Sequence, residues 1–256
     1  MSNETFKLMV LGDYMASKLN HNALFIFVRP ATNGKTHTIN IFLDACDTGY
    51  VLPPATPTKS FKATKHRALS ITTLIVDDLD DWSNTNDFKD AIQLSKHLAD
   101  GDLRPSRKTS FSEVGSIPQN SSVLLFLNDD QWDRAYAIMD GTGFLNRAIV
   151  VWSTHTKKEK QKIDDFYLEN GYSSFNLPQF PDFEINDPPT ESKNINKKTR
   201  EWIGNHFSGH GRKTLLNVAR LVSVKQFNDF KPFFLSWRNF RFENEYIKFR
   251  RKENEK

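Results

Sequence analysis

Cysteine is almost absent: Cys46 is the only one in 256 residues. That excludes an internal disulfide framework and a cysteine-rich zinc site, and it agrees with a reducing compartment. Long apolar runs are missing too, and none approaches the length that crosses a bilayer. Met1 is followed by Ser-Asn-Glu-Thr, without the basic-then-apolar pattern of a secretory signal. No internal repeat or low-complexity stretch stands out. These absences predict a cytoplasmic protein with no membrane partner. With 38% hydrophobic and 26% charged residues, the composition is that of an ordinary globular protein. The length suits one large domain, or one domain with a small appendage.

The formal net charge of +4 conceals an asymmetry. Residues 193–256 hold sixteen Lys/Arg against six Asp/Glu, whereas the rest of the chain holds nineteen against twenty-five. An acidic body with a basic tail suits a protein that does chemistry in one part and holds a polyanion with another. A merely solvated basic helix has the same composition.

The most informative stretch is 74–81, Leu-Ile-Val-Asp-Asp-Leu-Asp-Asp. Its apolar run reads as a strand buried on both faces, ending in clustered carboxylates. Alternation places Leu74, Val76 and Asp78 on one face and Ile75 and Asp77 on the other. If the strand continues, Asp80 joins the Asp78 side, with alpha carbons roughly 6.5 Å apart. Carboxylates gathered at a strand end repel unless a cation lies between them, and two-metal nucleotidyl transfer uses such clusters. The alternative is that Asp77 or Asp78 caps the next helix and the others are solvated turn residues.

Along the chain, residues 6–19 carry apolar side chains near helical spacing, and 24–28 form a compact strand ended by Arg29-Pro30. The Asn-Gly signal within 31–35 predicts a turn, and alternation over 36–43 predicts a hairpin with the preceding strand. A Pro-, Thr- and Lys-rich loop spans 44–65. An amphipathic helix follows over 88–98 and stops at Asp100-Gly101. Residues 104–120 read as a loop, 122–127 as a second buried strand, and 135–139 as a short strand ending at Asp140. Another strand is expected over 148–152 and a charged helix over 157–169. The segment 187–198 is the best linker, dividing a core of residues 1–186 from a basic helical domain of 199–256. Ser223-Val-Lys-Gln226 is a capping-box sequence, and Pro232 interrupts the helix before a second helical stretch over 233–242. The fold class is therefore α/β (α+β): a mixed sheet flanked by helices, followed by a small basic helical domain.

Other signatures are weaker. Residues 74–78 suit a Walker-B strand, but no Gly-x4-Gly-Lys-Ser/Thr loop precedes them. Gly209-His-Gly-Arg-Lys-Thr214 reads as a helix start whose basic residues can touch a phosphate backbone. His206 and His210 have metal-ligand spacing on a helix but no acidic or cysteine partners nearby. The aromatics of 227–242 interleave with lysine and arginine; most suit a core, a minority base stacking.

Three segments resemble the RepB/MobA type of plasmid and phage replication primases, a branch of the archaeo-eukaryotic primase superfamily. These are residues 19–30, ending in Phe-Val-Arg-Pro; residues 73–81, similar to a Leu-Val-Asp-Asp-Leu-Asp metal motif; and residues 121–139, where Gln131 is followed by an aromatic. Residues 211–220 with 235–239 are similar to the small helical domain found after such cores. The resemblance covers about half the chain. It lacks the family's Ser-Pro-Gly turn, and its histidine has no clear counterpart, since His97 lies on the expected helix and His155 comes late.

The resemblance implies metal-dependent nucleotidyl transfer by a DNA primase-polymerase of a mobile element. Asp77, Asp78, Asp80 and Asp140 would be catalytic, with Asp77, Asp78 and Asp140 holding Mg2+ or Mn2+. Arg29 and Gln131 would meet the nucleoside triphosphate, and Arg212, Lys213, Arg220 and Lys225 a single-stranded DNA template. A replicative helicase would be a further partner. Two other readings stay open: a non-catalytic DNA-binding replication protein with the primase fold, and a sugar-nucleotide transferase using Asp78-x-Asp80 for metal. The catalytic reading requires Asp77 or Asp78 and Asp140 to end neighbouring strands of one sheet.

Overall fold

A computed structural model describes residues 3–30, 34–46, 49–51, 73–77, 121–140, 142–170 and 183–235, with the helical positions 88, 89, 92, 95, 96, 99 and 100. Helix α1 (Asn3–Leu19) leads into strand β1 (Leu24–Arg29), then helix α2 (Lys35–Ala45) and the short strand β2 (Gly49–Val51). Strands β3 (Thr73–Val76) and β4 (Ser122–Asn128) follow, with the helical positions of 88–100 between them. Helix α3 (Trp132–Met139) leads to β5 (Ile149–Trp152) and helix α4 (Lys157–Asn170). The described chain closes with α5 (Lys197–His206), α6 (Gly209–Leu221), α7 (Val224–Phe230) and β6 (Phe234–Leu235).

The sheet runs β2-β3-β4-β1-β5-β6. The first five strands are parallel, and β6 is antiparallel to β5. Parallel strands are covered on both faces, which is why β1, β3 and β5 are buried along their whole length. Leu24, Ile26 and Val28 pack with Phe88, Ile92, Trp132, Ala135 and Met139 on one face. Phe25 and Phe27 pack with α1, α2 and the C-terminal helices on the other. The mixed α/β sheet flanked by helices is thus the observed class.

Two expected strands are helices, for one reason. A hairpin over 36–43 would put an antiparallel partner beside β1, whose neighbours are both parallel. Parallel strands need a crossover, and α2 supplies it. It buries Thr38, Ile39, Ile41 and Phe42, a helical rather than an alternating set. Likewise 135–139 belongs to α3, which buries Trp132, Ala135 and Met139 at spacings of three and four. The helix expected over 233–242 is also corrected where it is described. Lys231–Phe233 is a 3-10 turn containing Pro232, and Phe234–Leu235 pairs with β5. Ser223 and Gln226 do form the expected reciprocal cap.

Residues on both sides of 187–198 enter one apolar cluster. Ile203, Phe207, Leu215, Val218, Leu221, Phe227, Phe230 and Phe234 share it with Phe25, Phe27 and Phe126 of the central strands. The C-terminal helices therefore cover one face of the sheet, and β6 extends its edge. Among the described residues, no helix is long and apolar enough to cross a membrane.

Candidate phosphate-binding site at the carboxyl edge of the sheet

Strands β1 and β4 are neighbours, yet the helices that follow them leave toward opposite faces. Helix α2 after β1 packs with Phe25 and Phe27; α3 after β4 packs with Ile26 and Val28. Such a divergence opens a crevice at the carboxyl ends of the strands, the usual ligand position in parallel sheets. Arg29 and Asn128 are partners in register at this edge, and Asp77 follows β3 on the far side of β4.

Gly34 begins α2 in the left-handed conformation, φ 67° and ψ 35°, which glycine adopts without a Cβ penalty. Lys35 is the first residue of the helix. Its Nζ donates to Asn128 Oδ1 at 3.3 Å and lies 3.9 Å from Asp77 Oδ1. The Lys35 and Asp77 side chains are only 11% and 21% exposed, so this ammonium is held mostly out of bulk water, facing a carboxylate. Thr36, next on the first turn, is exposed. One ammonium, one amide and one carboxylate thus meet at the start of a helix whose first turn also carries Thr36, and where backbone N–H groups favour an anion.

The expected acids are not brought together. Asp140 ends helix α3, not a strand, and is exposed. Because β5 runs parallel to β4, α3 must return toward the opposite edge of the sheet. Its eight residues carry Asp140 about 12 Å along that path. The pairing of Asp77 with Asp140 at neighbouring strand ends is therefore corrected. Asp78 and Asp80 lie outside the described residues. Among the described residues, no group of three or more His, Cys, Asp or Glu could hold a metal.

Arg29 is fully buried and donates from Nη1 to Thr38 Oγ1 at 3.1 Å. Gln131 sits half-buried in the 3-10 turn after β4. Arg212, Lys213 and Lys225 are exposed on α6 and α7. Arg220 instead ties the 183–190 segment to α6, donating from Nε to the Thr190 carbonyl at 2.9 Å and from Nη1 to Asn217 Oδ1.

The histidines also part company. His206 stacks on Trp202, whereas His210 stacks on His21 at 4.8 Å between ring centroids, so 206 and 210 do not form a metal pair. His21 Nε2 bonds Thr214 Oγ1 at 3.0 Å, and His210 Nε2 bonds the Asn22 carbonyl at 2.5 Å. Burial pushes the His21 pKa down to about 4, helped by the neighbouring His210 and Lys213; burial also lowers that of His210. The glycines of 209–214 serve packing. A Cβ on Gly211 would lie 3.3 Å from the Ala148 carbonyl oxygen.

Sequence reasoning missed Gly34-Lys35-Thr36 and Asn128. The signal was present: a buried strand followed, after three residues beyond its end at Arg29, by Asn-Gly-Lys-Thr. Arg29 in place of the first glycine, together with the hairpin reading, hid it. No protein-family model matches the chain, and no curated protein matches its sequence.

Proposed function

We propose that this chain binds a nucleoside triphosphate at the carboxyl edge of its sheet and hydrolyses it with magnesium, in the service of nucleic-acid replication. The observation that carries this reading is Lys35, at the head of α2, reaching both Asn128 and Asp77 across the divergence of β1 and β4. A strand ending at Arg29 and a helix that begins at Gly34-Lys35-Thr36 match in order and spacing the phosphate-binding arrangement of P-loop enzymes. An apolar strand ending in Asp77 supplies the second half.

In this reading Lys35 leaves Asn128 and Asp77 for the β- and γ-phosphates. The Asn128 amide is then released to hold the attacking water. The oxygen donors suit magnesium, which binds through one or two carboxylates plus substrate phosphates rather than in an all-protein cage. Thr36 and Asp77 would hold it, and when bound it neutralises charge on the phosphates. Templated nucleotidyl transfer, the activity implied by the primase resemblance, would draw on the same triphosphate but lacks Asp140 at the site. The basic excess of residues 193–256 supports single-stranded DNA as the partner, held through phosphate contacts.

The test is ATP binding with and without magnesium, followed by phosphate release with single-stranded DNA present. Lys35→Ala should weaken ATP binding by about ten- to a hundredfold, the scale of one charge-assisted contact. Equal affinity in wild type and variant would sink the reading. Primer synthesis on a DNA template without free phosphate release would restore nucleotidyl transfer.

A further inference from the structure

In the Gly-x4-Gly-Lys-Ser/Thr pattern, fixing Gly34 and Lys35 puts the first position at Arg29. A glycine there lets the backbone approach phosphate; here the largest possible cation stands instead. Resting on the triphosphate site proposed above, we infer that Arg29 is a positioning residue that sets the phosphate turn and lends it a fixed charge from below.

Alternation along β1 turns Arg29 away from the Val28 side and toward α1 and α2, with Phe25 and Phe27. The side chain is 0% exposed. Its Nη1 donates to Thr38 Oγ1 at 3.1 Å, and that hydroxyl donates to the Gly34 carbonyl at 2.9 Å. The Thr38 backbone N–H donates to the same carbonyl at 3.0 Å. One hydroxyl thus joins the guanidinium to the left-handed glycine just before Lys35.

The consequence is directional. In a trans peptide the carbonyl and the following N–H point opposite ways. Drawing the Gly34 carbonyl toward Thr38 therefore aims the Lys35 N–H out of the helix start, where an anion would sit. The guanidinium is charged at every accessible pH and shielded from bulk water, so its field reaches the turn with little screening. Its contribution should grow with the number of phosphates on the ligand.

Titrations with ATP and ADP at two salt concentrations test this on wild type, Arg29→Gly, Arg29→Lys, Arg29→Met and Thr38→Val, with Lys35→Ala as control. Arg29→Gly restores the strict glycine pattern, yet it should lose about tenfold or more in ATP affinity. The loss should be smaller for ADP, and Arg29→Lys should recover part of it. Should Arg29→Gly not fold, Arg29→Met keeps the volume without the charge, and Thr38→Val removes only the connecting hydroxyl. Both should lose ATP affinity and preference over ADP while melting as folded proteins. If wild type binds and Lys35→Ala does not, but the folded Arg29 and Thr38 variants bind both nucleotides as wild type does, this inference falls and the triphosphate site stands. If wild type binds neither nucleotide, the site itself fails and the inference with it.

Discussion

Two stacked imidazoles contribute to the pH response of this protein at the level of single residues. His21 and His210 are both held in the neutral form, burial being the main cause. The unfolded chain takes up a proton near the ordinary value of 6.5, whereas folded His21 waits until about 4. The stability tied to keeping both rings neutral is therefore present above pH 6.5 and is lost as pH falls below it, for His21 toward 4. For His21 alone the full loss is on the order of 3 kcal/mol. Thermal melts from pH 7.5 to 4 should show this decline, and His21→Gln should flatten it. A wild-type midpoint that stays level between pH 7 and 5, alongside an equally level variant, would refute the assignment. The residue scale was also where the sequence was least legible. Asp77 could be picked out because it opens a run of four aspartates within five positions at the end of an apolar stretch. Asn128 could not, because an asparagine after a strand is ordinary until Lys35 is known to reach it.

At the scale of elements, the strands with the most continuous apolar runs were legible. β1, β4 and β5 read correctly from composition, since burial on both faces leaves no alternative pattern. Besides the helix expected from 233, where Phe234–Leu235 is a strand, the errors fell on α2 and α3, short segments whose β-branched or apolar residues fit either period. What decides between helix and strand there is the parallel direction of the neighbours, a fact about the whole sheet that no local window contains. Helix α7 shows the opposite case, a local signal that survives folding. Ser223 Oγ accepts from the Gln226 N–H at 3.2 Å, and Gln226 Oε1 accepts from the Ser223 N–H at 3.0 Å. Ser223→Ala should cost about 1 kcal/mol, measured by denaturant unfolding. The m-value should not change, because the exposed surface of the native state is untouched.

For the molecule as a whole, the composition suggested an acidic core and a detachable basic tail. The described part of that tail is instead a wall of the main core. Removing residues 193–256 would uncover the face formed by Phe25, Phe27, Phe126 and Val151, and would strip β6 from β5. The truncated protein should therefore lose its cooperative melt and bind ANS strongly, rather than persist as a folded acidic domain. A sharp thermal transition in the truncated chain would show that the sheet stands alone. The charge asymmetry keeps its meaning under either outcome: Arg212, Lys213 and Lys225 remain exposed on helices whose other sides are apolar.

The position of β1 at the centre of the sheet has a consequence for synthesis. Helices α1 and α2 can pack on Phe25 and Phe27 early, but the two strands that pair with β1, β4 and β5, begin only at Ser122 and Ile149. The emerging chain thus presents Leu-Phe-Ile-Phe-Val with both backbone edges of the strand unpaired until the segment from Ser122 has been made. Pairings over such long sequence separations form slowly and leave apolar strands open to mispairing. This is a chain whose demand for chaperones should be highest after β1 has been made and before β4 emerges.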